Sequence, residues 1–404
     1  MRAQSFDWAL VVSGPGDRMP QWMIQPRDKN LRRSYDPVKF WSSLTVVERH
    51  NVTGTDPGTW SVTARNEGLT GLLTPGNGVL LTRGDKLVMS GPITSIQRGG
   101  TVSTISGVSD LDVLDDRILF PDPTKDITNQ PTAYDTRSGP AESVLLSYVR
   151  FNAGDAALSY RQVPRLRLPA TQGRGRSVSI KGRLDLLGAV AADVAESGKL
   201  HMDILQREDD APYLDFTVRP ITDRTANVRF GAVRDFTGGI IGEDWSYTLT
   251  RPTVTAAIVA GGGQGANRLF VERVSAAAES IWGSRIEALI DQRQTTVVSE
   301  LTDAGDDALS DGSNPVSVSF TITDSPDVQY RRDWFVGDKV GVFIDGLDLT
   351  NLVREVTTTV QAQEGSPTET VSAVVGSRDS SAWTTKTNTR VAKALKSVRL
   401  LQAI

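Results

Sequence analysis

The chain has 404 residues, 39% of them apolar and 23% charged, ordinary proportions for a globular protein with room for roughly two to four domains. Its formal charge of −4, from 44 basic and 48 acidic residues, provides no overall field toward nucleic acid or membrane. With no cysteine, disulfides, thiolate catalysis, cysteine-rich zinc sites and a lipoprotein anchor are excluded.

Residues 1–115 read as short strands between turns, at 8–12, 22–24, 43–47, 60–64, 79–81, 86–89 and 101–108. Gly14-Pro15-Gly16, Asp56-Pro57-Gly58 and Pro75-Gly76-Asn77-Gly78 supply the turns, through positive or preset φ. The apolar run at 8–12 is too short to span a membrane and follows Asp7, so neither a signal peptide nor a membrane anchor is expected. Pro121-Asp122-Pro123 and Asn129-Gln130-Pro131 then mark a linker. Val144, Leu145, Tyr148 and Val149 predict a helix over 140–152; Leu184, Leu187, Val190 and Val194 predict another over 184–197, stopped by Gly198. Residues 201–205 and 213–219 alternate like strands, and strand character returns at 244–260. Helices are expected around 280–290 and 299–309, and strands close a second β-unit from 315 to 376. Residues 384–404 carry five basic residues and no acid, with Val391, Leu395 and Val398 on one helical face, which predicts a docking helix.

The chain also echoes itself. Gly84-Asp85-Lys86 opens an alternating stretch that ends in Thr101-Val102-Ser103-Thr104-Ile105-Ser106-Gly107; Gly337-Asp338-Lys339 opens another that ends in Thr370-Val371-Ser372-Ala373-Val374-Val375-Gly376. Two distant copies suggest one β-unit used twice rather than a solenoid of short repeats. The fold class expected is mainly β with α+β insertions, in which two related antiparallel β-barrels are pseudo-duplicated. The expected domains are a first barrel at 1–115, an α+β insertion at 116–235, a second barrel from 236–262 and 313–380, a partly helical insertion at 263–312, and a basic tail at 381–404. A trimer of such chains would form a ring of six modules.

No constellation of residues points to catalysis. Only two histidines are present, His50 and His201, each at the end of a strand, where a structural role explains them; no zinc motif accompanies them. Ile258-Val259-Ala260 followed by Gly261-Gly262-Gly263-Gln264-Gly265 resembles a dinucleotide loop, but that motif needs a helix next, and the residues after it suit a strand equally well. Asp303, Asp306, Asp307 and Asp311 lack the spacing of a calcium loop and read as a solvated, acid-rich helix. No cofactor is expected. Between 161 and 183 there are seven cations and no acid: Arg161, Arg165, Arg167, Arg174, Arg176, Lys181 and Arg183. They could line a path for DNA through phosphate contacts, or face an acidic neighbour. Arg27, Lys29, Arg32 and Arg33 form a second cluster, suited to a subunit contact.

The chain resembles the siphophage tail-hub family, also called Tal-like or baseplate-hub proteins, of phages of actinobacteria and other Gram-positive hosts. The resemblance rests on four stretches. They are Arg27-Asp28-Lys29-Asn30-Leu31 with Gly58-Thr59-Trp60-Ser61-Val62; Leu81-Thr82-Arg83-Gly84-Asp85 with Met89-Ser90-Gly91-Pro92-Ile93; residues 259–268 with Trp282-Gly283-Ser284-Arg285 and Ile290-Asp291-Gln292-Arg293; and Tyr330-Arg331-Arg332-Asp333-Trp334 through Val340. The resemblance implies a structural, non-enzymatic protein of the virion tail tip. It also implies a homotrimer with two tail-tube-like barrels per chain, in a pseudo-sixfold ring that caps the tail tube. Its implied partners are the distal tail protein ring, the tape-measure protein, other tail-tip or receptor-binding proteins and, transiently, viral DNA, with no stable membrane insertion. No peptidase or lysozyme-like extension is expected after the second barrel. Two other classes stay open: a glycosidase-type cell-wall hydrolase, needing a carboxylate pair in a cleft of either insertion, and a host-cell-wall-binding module, needing exposed aromatic platforms. Aromatic residues are only 6% of the chain, and Trp8, Trp22, Trp41 and Trp60 lie in expected strands, where core packing accounts for them.

Overall fold

The computed structural model describes residues 22–231, 239–242, 245–293, 295–312, 316–323, 328–362 and 368–376. The expected strand at 8–12 and the docking helix with Val391, Leu395 and Val398 lie outside the described residues.

Six strands make the first unit: β1 (Trp22–Arg27), β2 (Trp41–Arg49), β3 (Thr59–Arg65), β4 (Gly78–Arg83), β5 (Lys86–Arg98) and β6 (Val102–Val108), paired in the order β1-β4-β5-β6-β3-β2. The period of two decides which side is buried: in β3, Trp60, Val62 and Ala64 point inward and Thr59, Ser61 and Thr63 outward. Leu44, Val46, Val79, Leu81 and Ile105 complete the core. Trp60 lies opposite Gly107, where an added Cβ would come within 2.4 Å of the indole, so the glycine makes room for the ring.

An α+β unit follows: β7 (Asp135–Pro140), α1 (Ala141–Asn152), β8 (Leu166–Arg167), β9 (Ser177–Gly182), α2 (Leu187–Ser197), β10 (Leu200–Glu208) and β11 (Pro212–Pro220). The expected stripe Val144, Leu145, Tyr148, Val149 packs against Leu187, Val190 and Val194, and both helices lie on Met202, Ile204 and Phe216 of the β10–β11 hairpin. Leu184 departs from the expectation: its φ is +55°, it is exposed, and α2 starts three residues later.

The remaining chain forms β12 (Arg229–Gly231), β13 (Gly239–Ile241), β14 (Ser246–Leu249), β15 (Ala256–Ala260), β16 (Phe270–Val274), α3 (Ala276–Trp282), β17 (Glu287–Asp291), α4 (Val298–Gly312), β18 (Val316–Thr323), β19 (Lys339–Ile344), β20 (Leu347–Gln361) and β21 (Thr368–Gly376). β15 belongs to a small separate sheet, ordered β16-β15-β17, instead of running on within the large sheet as 244–260 suggested. The helix expected around 280–290 is also corrected. Gly283, at φ +63°, ends α3, and residues 287–291 form a strand parallel to β15. The second expected helix of this region is α4.

The other strands repeat the order of the first unit: β12-β19-β20-β21-β18, with β13 and β14 side by side along β18. β5 and β20 also behave alike. β5 pairs with β4 and then with β6, the latter pairing with a register shift at Ile93/Ser95; β20 pairs with β19 and then with β21, the latter with a shift at Val353/Glu355. Trp334, Phe230, Phe320 and Tyr330 fill the second core, in tilted and edge-on ring contacts.

Two separate closed antiparallel barrels are not what the described residues show. β1 and β2, the ends of the first order, do not pair with each other among them; β2 pairs with β20, and both halves form one 13-stranded sheet. β12 runs parallel to both its neighbours, β13 and β19. The sheet is otherwise antiparallel, and the fold is mainly β.

The sequence echo and the structural repeat do not coincide. Gly84-Asp85 is the exposed β4–β5 turn, whereas Gly337-Asp338 precedes β19 and Asp338 is buried. β6 and β21 do hold equivalent places in the strand order. Yet Ser103, Ile105 and Gly107 are buried in β6, whereas Val371, Ala373 and Val375 are buried in β21, so the shared Val-Ser pair is turned to opposite sides in the two strands.

Candidate functional site

The basic stretch at 161–183 does not form one open cationic face. Arg161 is buried, donates to the Ile118 carbonyl and to Asn152, and stacks 3.6 Å from the Phe120 ring centroid. Arg174 pairs with the buried Glu142 at 2.6 Å and donates to the Val218 carbonyl at 2.6 Å. Its guanidinium and two backbone N–H donors hold the Glu142 carboxyl below the usual range despite burial. Arg176 bridges to Asp307 of α4 at 2.5 Å and to the Ser197 carbonyl. The exposed cations are Arg165, with φ +64°, Arg167, paired with Asp209 and stacked on Tyr213, and Lys181 and Arg183, 4.2 and 5.7 Å from the Tyr134 ring. In the second cluster Arg27 is buried against Asp110, a corrective to reading it as a subunit contact, while Arg33 pairs at the surface with Glu208.

The remaining motifs have structural explanations. Gly261, Gly262 and Gly263 turn β15 back into β16; one short helical turn at Gly265–Asn267 intervenes, where a dinucleotide site would open a full helix. Asp306 pairs with Arg273 and Asp307 with Arg176, and no group of three His, Asp or Glu fit to hold a metal occurs among the described residues. Trp22 and Trp60 are buried in the core, and Trp41 packs against it. Among the described residues no helix is long and apolar enough to cross a membrane.

The site that sequence reasoning missed lies where the α+β unit meets both halves of the large sheet. His50 follows β2 and His201 sits in β10, yet their Nδ1 atoms are 2.8 Å apart and their rings stack at 11°. Their separation of 151 residues leaves no local signal for this contact. Asn51, at φ +51°, accepts from the Met202 N–H and donates to the Leu200 carbonyl, fastening the first unit to β10. Gly337 closes the contact from the second unit: an added Cβ would lie 2.6 Å from His201 and 2.8 Å from His50.

Beside the pair is a cavity of about 340 Å³ lined by Glu48, His201, Asp203, Arg219, Arg224 and Arg331, among others. Burial pushes the Asp203 carboxyl up to about 6 and also raises Glu48, against the pull of Arg331. Glu48 accepts from the Tyr330 hydroxyl and pairs with Arg331 at 3.0 Å; the buried Asp338 takes both Arg219 and Arg224. Glu48 and Asp338 are thus paired with arginines within the protein, at the place where the α+β unit meets both halves of the large sheet.

Residues 23–377 match the model of the siphovirus ReqiPepy6 Gp37-like proteins. The chain belongs to that siphovirus family. Among solved structures, this Gp37-like chain is similar to the 43 kDa tail protein of prophage MuSo2 from Shewanella oneidensis, at 12% identity and a TM-score of 0.55, over 88% of this chain and 97% of that one. It is similar to the tail protein from Neisseria meningitidis MC58 at 12% identity and a TM-score of 0.54, over 88% and 96%. It is also similar to prophage tail protein gp18 from Listeria monocytogenes EGD-e at 10% identity and a TM-score of 0.55, over 93% and 100%. At these identities the likeness is one of fold, and the fold is shared with phage tail proteins over nearly the whole Gp37-like chain. No curated protein is a significant match.

Proposed function

We propose that this chain is a structural tail-hub protein of a long-tailed phage, built into the virion at the tail tip. The observation that carries the reading is the strand order β1-β4-β5-β6-β3-β2 and its repetition in β12-β19-β20-β21-β18-β13/β14, in a chain with the fold of phage tail proteins. Two like modules per chain suit a homotrimer, because three chains then present six modules to a sixfold tail tube. In this reading the two modules are tube-like barrels, and the α+β unit and the β15–α4 unit are insertions hung from them. The ring caps the tube and forms part of the DNA-ejection channel. Its partners are the distal tail protein ring, the tape-measure protein, other tail-tip or receptor-binding proteins, and DNA in passage. The exposed Arg165, Arg167, Lys181 and Arg183 are the cations of the basic stretch best placed to meet DNA or an acidic neighbour.

The test is the mass of the purified protein by light scattering over a range of concentrations, followed by class averages of negatively stained particles. A trimer, or a multiple of one, with six lobes around a pore supports the reading. Particles of any other symmetry, alone or with the adjoining tail proteins added, overturn it.

A further inference from the structure

We propose that His50 and His201 form a proton-operated latch that holds the α+β unit against the two halves of the large sheet. An Nδ1-to-Nδ1 contact of 2.8 Å is a hydrogen bond only while one of the two nitrogens lacks a proton. His50 turns its other nitrogen, Nε2, to a Glu196 carboxylate oxygen 3.2 Å away. A proton on that Nε2 leaves His50 Nδ1 as the acceptor and His201 Nδ1–H as the donor. One added proton keeps the bond, now between an imidazolium and an imidazole. A second puts two N–H groups and two like charges face to face, and the contact breaks.

The surroundings set the direction. Against His50 lie Glu196 of α2, Arg354 of β20, the side chain of Asn51, and Arg219 of β11. Against His201 lie His50, Arg219, Arg331 and, more weakly, Glu196, and the cavity beside it adds Glu48 and Asp203. Glu196 is shared with Arg354, which it meets at 2.5 Å, and Arg219 is held in place by Asp338. Burial and these arginines hold both imidazoles below the usual histidine value, His201 most of all. Groups whose value is lowered in the closed form keep that form stable above the ordinary histidine range and withdraw the support as pH falls through it. Because His201 lines the open cavity, protons can reach the pair from solvent. Asn51, next to His50, holds the Met202 N–H, so opening of the latch releases that amide and its exchange reports the opening.

The chain has only two histidines, so their ring-proton NMR signals report this contact alone. The experiment follows those signals, together with amide hydrogen exchange of residues 200–204, on the full chain between about pH 7.5 and pH 4.5. The latch requires two coupled protonation steps below the ordinary histidine value, and exchange in 200–204 that rises about tenfold or more across the second step while that of β3 is unchanged. His201→Phe keeps the ring and loses the proton, and should abolish the rise; should it fail to fold, His201→Gln serves in its place. Asp203→Asn should leave the rise intact, since the cavity carboxylate is not part of the latch. Two independent titrations at the ordinary histidine value, or an exchange profile identical in His201→Phe or His201→Gln, would overturn the proposal.

Discussion

Arg27 of β1 and Asp110, just beyond β6, meet through two guanidinium–carboxylate hydrogen bonds of 2.8 and 2.5 Å, and both side chains are only 4% exposed. The pair is a junction of three segments. Arg27 also donates to Gln206 of β10 at 2.9 Å, and Ser90 of β5 donates to Asp110 at 2.6 Å while accepting from the Gln206 N–H at 2.7 Å. Removing either charge strands the other in a site closed to water. Arg27→Ala should therefore lower unfolding free energy by about 3–5 kcal/mol, measured by urea denaturation. Arg27→Ala combined with Asp110→Ala should recover part of the loss; a double variant no better than the single would show that packing, not charge, governs the site.

Two arginines adjacent in the basic stretch should respond in opposite ways to charge reversal. Arg174→Glu sets a carboxylate against Glu142, which is fully buried, and should cost about 3–5 kcal/mol. Arg176→Glu breaks a pair with Asp307 in which the side chains are 35% and 45% exposed, and should cost below about 1 kcal/mol. Thermal melts of the two single variants decide the matter. Equal shifts would refute the division.

How much of this was legible follows from where the information lies. The alternation of Trp60, Val62 and Ala64, and the helical spacing of Val144, Leu145, Tyr148 and Val149, are local patterns, and the structure uses them as read. A cation carries no local mark of burial. Arg27, Arg161 and Arg174 look like surface charges until Asp110, Asn152 and Glu142 arrive from elsewhere in the chain. The short apolar run of β15 does not specify its neighbours, and it pairs with β16 and β17 instead of joining the large sheet. Strand order repeats between the two halves, but the Val-Ser pair of the echo is out of phase with the core. Joining His50 to His201 requires the whole fold.

The glycines of the echo give a further contrast. At Gly84 the φ is +63° and a Cβ would meet nothing within 4 Å, so Gly84→Ala should cost only the backbone strain of about 1 kcal/mol. At Gly107 a Cβ would lie 2.1 Å from the Pro92 carbonyl oxygen and 2.4 Å from the Trp60 ring. Gly107→Ala should cost about 3 kcal/mol and shift Trp60 fluorescence, because backbone and indole must both yield. Similar melting temperatures for the two variants would contradict the packing described for β3 and β6.

Asp203 supplies a pH dependence opposite in sign to that of the histidines. Its carboxyl is raised to about 6 in the folded chain by burial, from an ordinary value of 3.8. A raised value means the folded form prefers the protonated group: the stability this gives is complete below the ordinary value and is lost as pH rises through about 6. Above that, the ionised Asp203 burdens the fold, relieved in part by Arg331. Asp203→Asn keeps an oxygen to accept the Ile204 N–H and removes the charge. It should therefore stabilise the protein near pH 8, by up to about 3 kcal/mol, and make little difference near pH 4. Urea midpoints of wild type and Asp203→Asn at the two pH values test this. A variant equally or less stable at the higher pH would show that Asp203 is held ionised by Arg331, and that the cavity tolerates its charge without cost.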